Sequence, residues 1–259
     1  MCKECGCGGD PHVHFHNGVA HSHEHAHGQA HDHPHEHVSP AMPETRTVEI
    51  QQKILSRNDE QAERNRAWLK EHGVVAVNLI SSPGTGKTYL LERTLEGLRG
   101  KVSCAVITGD QRTDNDARRL QGKGAPVRQI ETINACHLDA EQVGRLLPEI
   151  AGDGVRLLFI ENVGNLVCPA AFDLGETFKI ALLSTTEGED KPVKYPTLFS
   201  TAPVAVLTKM DLAPHLDWDV AACRSSLRQV RPGVFIFELS AKTGLGMEAW
   251  LEYLIKLVE

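Results

Sequence analysis

Ser81-Ser82-Pro83-Gly84-Thr85-Gly86-Lys87-Thr88 stands directly after an apolar run over residues 74–80 and directly before a helical stretch over 87–98. A strand, a glycine-bearing loop and a helix in that order form the setting of a phosphate-binding loop. Gly84 and Gly86, with Thr85 between them, let backbone N–H groups turn inward around phosphates, Lys87 reaches the β- and γ-oxygens, and the Thr88 hydroxyl is suited to ligate Mg²⁺. Ser81 stands where the usual pattern has its first glycine. The two glycines that remain are those at the points of close approach.

Working outward, short β-rich runs over 74–80, 102–108, 157–160, 178–183, 204–207 and 234–239 alternate with helical patterns over 87–98, 114–120, 139–150, 217–230 and 246–258. Repeated alternation of this kind predicts an α/β domain with a doubly wound, mostly parallel sheet. A leading amphipathic helix is expected over 48–72, with Ile50, Ile54, Leu55, Ala62, Trp68 and Leu69 as its buried stripe and Gly73 as its stop.

Base selection is read from Thr208-Lys209-Met210-Asp211, at the end of another apolar run. The two carboxylate oxygens of Asp211 can accept from N1–H and the 2-amino group of guanine, two donors that adenine lacks, and a buried carboxylate left unpaired is costly. Thr208 replaces the asparagine of the usual N-K-x-D motif and lacks an amide to bridge neighbouring polar groups. Ser240-Ala241-Lys242, after the run over 234–239, has the form of the S-A-K element whose backbone N–H meets guanine O6. Together the three stretches describe a GTPase, with GTP and Mg²⁺ as its ligands.

Leu157-Leu158-Phe159-Ile160-Glu161 has the form of a Walker B strand that delivers Glu161 to the phosphate end of the sheet, and Asp110 ends the run from 102. Either carboxylate is placed to hold Mg²⁺ or orient the attacking water, beside Lys87 as the transition-state cation. The alternative for each acid is a helix cap or a solvated loop.

The chain begins differently. Eleven of the fourteen histidines lie between His12 and His37, and Cys2, Cys5 and Cys7 fall in the first seven residues. Residues 1–43 carry no apolar periodicity, so they are expected to form a largely disordered Cys/His-rich tail, with the folded domain over 44–259. Three thiolates make a soft donor set for nickel, zinc or copper(I), with a structural zinc site or redox thiols as the other readings. The net charge of −7 gives no reason to expect nucleic acid or an anionic membrane as partner. Neither a membrane span nor a signal peptide is apparent, so a cytoplasmic protein is expected. Within the domain, Cys136-His137 and Cys168 are metal-ligand candidates, against the alternative of ordinary packing, to which Cys104 and Cys223 are assigned.

Ser81 to Thr88, Glu-Asn-Val-Gly-Asn-Leu-Val-Cys-Pro at 161–169, Asp-Leu-Gly-Glu at 173–176 and Thr-Glu-Gly-Glu-Asp-Lys-Pro-Val-Lys-Tyr-Pro at 186–196 resemble the HypB family of nickel-incorporation GTPases, of the SIMIBI class. The resemblance runs from about residue 48 onward and extends to the Cys-rich start. It implies a tight nickel site at Cys2, Cys5 and Cys7, and a second metal site of Cys136, His137 and Cys168 at a GTP-dependent homodimer interface. It further implies nickel delivery, with a HypA-type accessory protein, to the large subunit of [NiFe]-hydrogenase. The urease nickel GTPases are the nearest other family, but their interfacial motif is Cys-Pro-His, whereas Cys136 and His137 are adjacent. Passive nickel or zinc storage by the tail, and a P-loop ATPase or kinase, are the readings from other classes.

Overall fold

The computed structural model of the protein describes residues 13–16, 19–22, 44–110, 115–132, 136–152 and 154–259. It divides into two compact units, Met1–Pro43 and Glu44–Glu259. In the first, β1 (Val13–His16) and β2 (Val19–Ser22) pair antiparallel, with His14 opposite His21. The alternation of Val13 and Phe15 with histidines supplies the two-residue period of a strand, although a two-stranded ribbon is marginal on its own. Cys2, Cys5, Cys7 and the remainder of the histidine tract lie outside the described residues.

The second unit runs, in chain order, through α1 (Glu44–Glu71), β3 (Val75–Ser81), α2 (Lys87–Leu98), β4 (Cys104–Asp110), α3 (Asn115–Leu120) and β5 (Val127–Glu131). It continues with α4 (Ala140–Ile150), β6 (Leu157–Glu161), α5 (Cys168–Ala171), β7 (Phe178–Ser184), α6 (Lys191–Lys194) and α7 (Pro196–Thr201). Then come β8 (Val204–Thr208), a 3₁₀ turn (Met210–His215), α8 (Val220–Val230), β9 (Phe235–Glu238) and α9 (Met247–Leu257). Strands β3 to β9 form one parallel sheet in the order β5-β4-β6-β3-β7-β8-β9. Because β3 sits between β6 and β7, the chain reverses its direction of sheet-building around it. The crevice at the carboxyl ends of these strands is where such sheets bind ligands.

Strand side chains alternate between two covered faces, as a buried parallel sheet requires. Val77, Leu79, Val106, Phe159, Leu182 and Val206 pack with α2 and α9, including Leu91, Leu95 and Trp250. The buried Trp250 donates from Nε1 to Thr94 Oγ1 at 2.9 Å, so its one polar atom is satisfied. On the opposite face, Ala76, Ile107, Leu158 and Ile160 meet α1 and α4, while Ala181, Leu183, Ala205 and Leu207 meet α7 and α8.

Two features of the sheet and its leading helix depart from expectation. The seventh strand, β5, was not anticipated: it forms an edge, and Arg128 and Gln129 interrupt the apolar pattern by which a buried strand is recognised. Helix α1 begins earlier than residue 48, and its stripe differs. Among its described side chains Ala62 and Leu69 are buried, Ile54 is 54% exposed, and the other buried positions are Asn58 and Asn65, while the side chain of Ile50 lies outside the described residues. Half of the 58-62-65-69 stripe is amide, which a search for apolar periodicity passes over.

Candidate nucleotide and metal sites

The loop over 81–88 joins the central strand β3 to the N-terminus of α2. Gly84 and Gly86 have φ of 75° and 97°, the left-handed region in which a side chain is strained. Ser81 still belongs to β3, paired with Leu182, so no left-handed residue is needed there. This explains the absence of the first glycine. At the helix entry Thr88 Oγ1 donates to Glu161 Oε1 at 2.6 Å, and Lys87 Nζ lies 3.8 Å from the same oxygen. A lysine, a hydroxyl and a carboxylate therefore converge beside the glycine-bearing loop. Hard oxygen donors of this kind suit Mg²⁺, with Thr88 and Glu161 as the groups to hold it. Asp110 closes β4 opposite Glu131, at the same carboxyl edge of the sheet.

Two cavities meet at this loop. The larger, of about 430 Å³, is walled by residues 82–89 together with Asp116, Arg119, Val163 and Gly164. The smaller, of about 200 Å³, is walled by Thr208, Lys209, Asp211, Leu212 and residues 239–242, and shares Thr85, Gly86 and Tyr89 with the first. Asp211, Ser240, Ala241 and Lys242 thus line one recess, with Leu90 and Leu239 as apolar walls. Ser240 is fully buried and holds its own loop together, its Oγ accepting from Thr243 N at 3.2 Å.

Thr208 bridges after all. Its hydroxyl donates to the Thr85 carbonyl at 2.7 Å, so β8 is tied to the phosphate loop by a single bond rather than an amide pair. Lys209 adds a second tie, from Nζ to the Gly84 carbonyl at 2.7 Å, and has φ of 58°. A non-glycine residue in this region is uncommon and is held here by its contacts.

Sequence reasoning missed Glu187 and Lys191 as functional groups. Glu187 Oε1 accepts from Thr85 Oγ1 at 2.7 Å and from Ser184 N at 3.0 Å, while Lys191 donates to Glu187 and to Ser82 Oγ, the latter at 2.8 Å. Burial raises the Glu187 carboxyl, but hydrogen bonds from Lys191, Thr85 and Ser82 outweigh it and hold the pKa below the usual value. This pair braces the phosphate loop from the side. Asp116 was also missed; it lines the phosphate cavity from α3 and carries no motif of its own.

The second cluster shares no lining residue with the two cavities. Ligand atoms of Cys136, His137 and Cys168 all fall within 4.8 Å of one another, and Cys136 Sγ is 3.7 Å from His137 Nδ1. Cys168, expected in a loop, opens the short helix α5, where Pro169 is tolerated in the first turn. The His137 ring packs on Phe172, with centroids 3.8 Å apart. Burial lowers its pKa, with Asp139 opposing, and so favours the neutral ligating form. Two sulfurs and an imidazole suit zinc, nickel or copper rather than Mg²⁺. Cys104 and Cys223 are instead buried, with burial pushing their thiols up to about 12.

A ring of buried amides frames this cluster. Asn162 Oδ1 accepts from Leu138 N at 3.3 Å and Val163 N at 2.9 Å, and its Nδ2 donates to Asn78 Oδ1 at 3.3 Å. Asn78 donates in turn to Glu176 Oε1 at 3.2 Å, and Glu176 Oε2 accepts from Leu174 N at 2.7 Å. Burial raises the Glu176 carboxyl, against the pull of Lys179. From α1, Asn65 donates to the carbonyls of Ala140 and Leu174 at 2.7 and 2.9 Å, and Asn58 links Ala140 N to the Asp173 carbonyl. The segments carrying Cys136-His137 and Cys168 are therefore clasped to one another through α1. Asn162 directly follows Glu161.

Compared with known proteins, residues 75–238 match the family described as CobW/HypB/UreG, nucleotide-binding domain. The hydrogenase maturation factor HypB of Azotobacter vinelandii is 47% identical over 246 residues, covering 95% of this chain and 76% of that protein. Among solved structures, the hydrogenase maturation factor HypB of Archaeoglobus fulgidus is 38% identical with a TM-score of 0.74, covering 79% of this chain and 100% of that one. HypB of Helicobacter pylori in complex with nickel is 35% identical with a TM-score of 0.73, covering 78% and 95%.

Proposed function

The chain belongs to the CobW/HypB/UreG family, among its HypB members, and on that premise we propose that it is a GTP-hydrolysing nickel metallochaperone for maturation of [NiFe]-hydrogenase. The observation that carries this reading is the placement of Glu161 and Asn162. Glu161 meets Thr88 and Lys87 of the phosphate loop, and Asn162 holds the backbone beside His137. The residue that meets the phosphate loop and the residue that holds the backbone next to a candidate metal ligand are thus adjacent in the chain.

In this reading Thr88 and Glu161 would hold a Mg²⁺ ion, which would supply neutralisation of the phosphate charge. Lys87 faces the charge that develops on the transferred phosphoryl group, and the carboxylate of Asp110 orients the attacking water. Asp211 reads the base edge, while Ser240, Ala241 and Lys242 close the recess around it. Cys136, His137 and Cys168 take the metal as cargo, nickel first and zinc as a competitor, with a second copy of the chain completing the site in the GTP-bound homodimer. Residues 1–43, through Cys2, Cys5 and Cys7, hold nickel most tightly. A HypA-type protein and the hydrogenase large subunit are the onward partners, in the cytoplasm. Neither nucleic acid nor membrane takes part, and no helix among the described residues is long and apolar enough to cross a membrane.

Hydrolysis then times release. If GTP tightens the metal site by some factor, the metal tightens GTP by the same factor, about 5- to 150-fold in typical coupled systems. The test is nickel affinity of protein lacking residues 1–43, measured with GDP and with a non-hydrolysable GTP analogue, alongside Cys136→Ala. Equal affinities in the two nucleotide states would refute the coupling, and undiminished binding by Cys136→Ala would remove that thiol from the site.

A further inference from the structure

Arg119 belongs to none of the motifs above, yet it stands in the wall of the phosphate cavity, three residues beyond Asp116 on α3. Its guanidinium lies over the Tyr89 ring, with Cζ 5.0 Å from the centroid, and its Nε donates to Glu92 Oε2 at 2.8 Å. Glu92 has a second cation, Lys123, at 2.7 Å. Burial raises the Glu92 carboxyl, but hydrogen bonds from Lys123 and Arg119 outweigh it and hold the group below its usual pKa.

Tyr89 decides what Arg119 can reach. It is one of the three residues that line both cavities. A nucleotide with its base against Asp211 and its terminal phosphate at Lys87 must cross at Tyr89, which brings its inner phosphates under the face where Arg119 rests. We propose that Arg119 is a ligand of the α- and β-phosphates of the bound guanine nucleotide, held on Glu92 until the phosphates replace that carboxylate. The inference rests on the guanine-nucleotide reading of the two cavities.

The chemistry favours the exchange. Guanidinium presents a planar fork of donors that matches a phosphate's oxygens two at a time and can keep its stacking on an aromatic ring meanwhile. The Arg119 side chain is 46% exposed, so it turns without unpacking a core. Glu92 is not stranded when Arg119 leaves, because Lys123 stays beside it and avoids the cost of a buried unpaired carboxylate. Three acidic and basic side chains, Glu92, Arg119 and Lys123, thereby form a rest position with a built-in replacement.

The full chain, with Arg119→Ala, Arg119→Lys and Glu92→Gln variants, is titrated with fluorescent GDP and with a fluorescent non-hydrolysable GTP analogue. Arg119→Ala should weaken both nucleotides by the same factor, about 5- to 10-fold for a partly exposed charged hydrogen bond, and Arg119→Lys should recover part of it. Glu92→Gln should tighten both, because a neutral amide holds the guanidinium less firmly. An arginine that only braced α3 against α2 predicts the reverse sign for Glu92→Gln, and weaker or unchanged binding there overturns the proposal. A loss confined to the GTP analogue would place Arg119 on the γ-phosphate and overturn it equally. Melting temperatures of the variants separate lost folding from lost affinity, and Arg119→Lys, which keeps the charge and the stem, supplies the comparison if Arg119→Ala unfolds. Parent protein that binds no GDP would sink the guanine reading itself, whereas normal parent binding with an unaltered Arg119→Ala sinks this inference alone.

Discussion

At the scale of single residues, discrimination between bases rests on Asp211, whose two oxygens can satisfy two donors found together only on guanine. Asp211→Asn should therefore weaken GTP by about 10²-fold or more and shift preference to xanthosine triphosphate, whose 2-oxo group accepts from an amide. Competition between the two nucleotides measures it, and an unaltered preference for GTP would reject Asp211 as the reader. The residues of the phosphate loop and of the base recess could be read before any fold was known, because each such motif is contiguous and its chemistry is local. Glu187 and Lys191 could not. They act on Thr85 and Ser82 across 102 and 109 residues of chain, and nothing in the local pattern of 186–196 says that it will fold back on the loop. Thr208 shows the limit from the other side: its departure from asparagine suggested a lost bridge, and the fold supplies one through the Thr85 carbonyl.

At the scale of elements, α1 does more than cover the sheet. Asn65 gives both its amide hydrogens to backbone carbonyls, Ala140 and Leu174, that belong to the two metal-bearing segments. Asn65→Ala should cost about 2 to 3 kcal/mol of stability, because two buried acceptors lose their donor. It should also weaken metal binding at Cys136, His137 and Cys168 in nucleotide-free protein, while leaving GDP affinity within about twofold. Denaturant melts, nickel titration and GDP titration read the three quantities, and a metal affinity equal to the parent's would show that the clasp does not set the ligand geometry. The short helices α5, α6 and α7 were not anticipated because each places proline in its first turn, at Pro169, Pro192 and Pro196, and proline reads as a breaker when the helix that follows is only four to six residues long. Helices α2, α4, α8 and α9, with their repeating apolar faces, were evident. Strand β5 was not, since an edge needs little apolar surface.

At the scale of the whole molecule, the tail and the GTPase unit are separate compact units, so removing residues 1–43 should leave GTP turnover within about twofold of the parent while nickel stoichiometry falls sharply. Turnover that collapsed with the tail would contradict that independence, and unchanged stoichiometry would remove Cys2, Cys5 and Cys7 from the nickel sites. Where the cut is made matters. The stretch recognised as the family domain is 75–238, which stops short of α1 on one side and of Ser240 and α9 on the other. A gene fragment trimmed to those limits would uncover one face of the sheet where Leu69 had packed and the opposite face where Trp250 and Leu254 had, and it would discard part of the base recess. Such a fragment should aggregate on expression, whereas 44–259 should be recovered as soluble protein that binds GDP. The family model marks out the nucleotide-binding core alone, and the part expected to be excised and still stand is longer by a helix at each end.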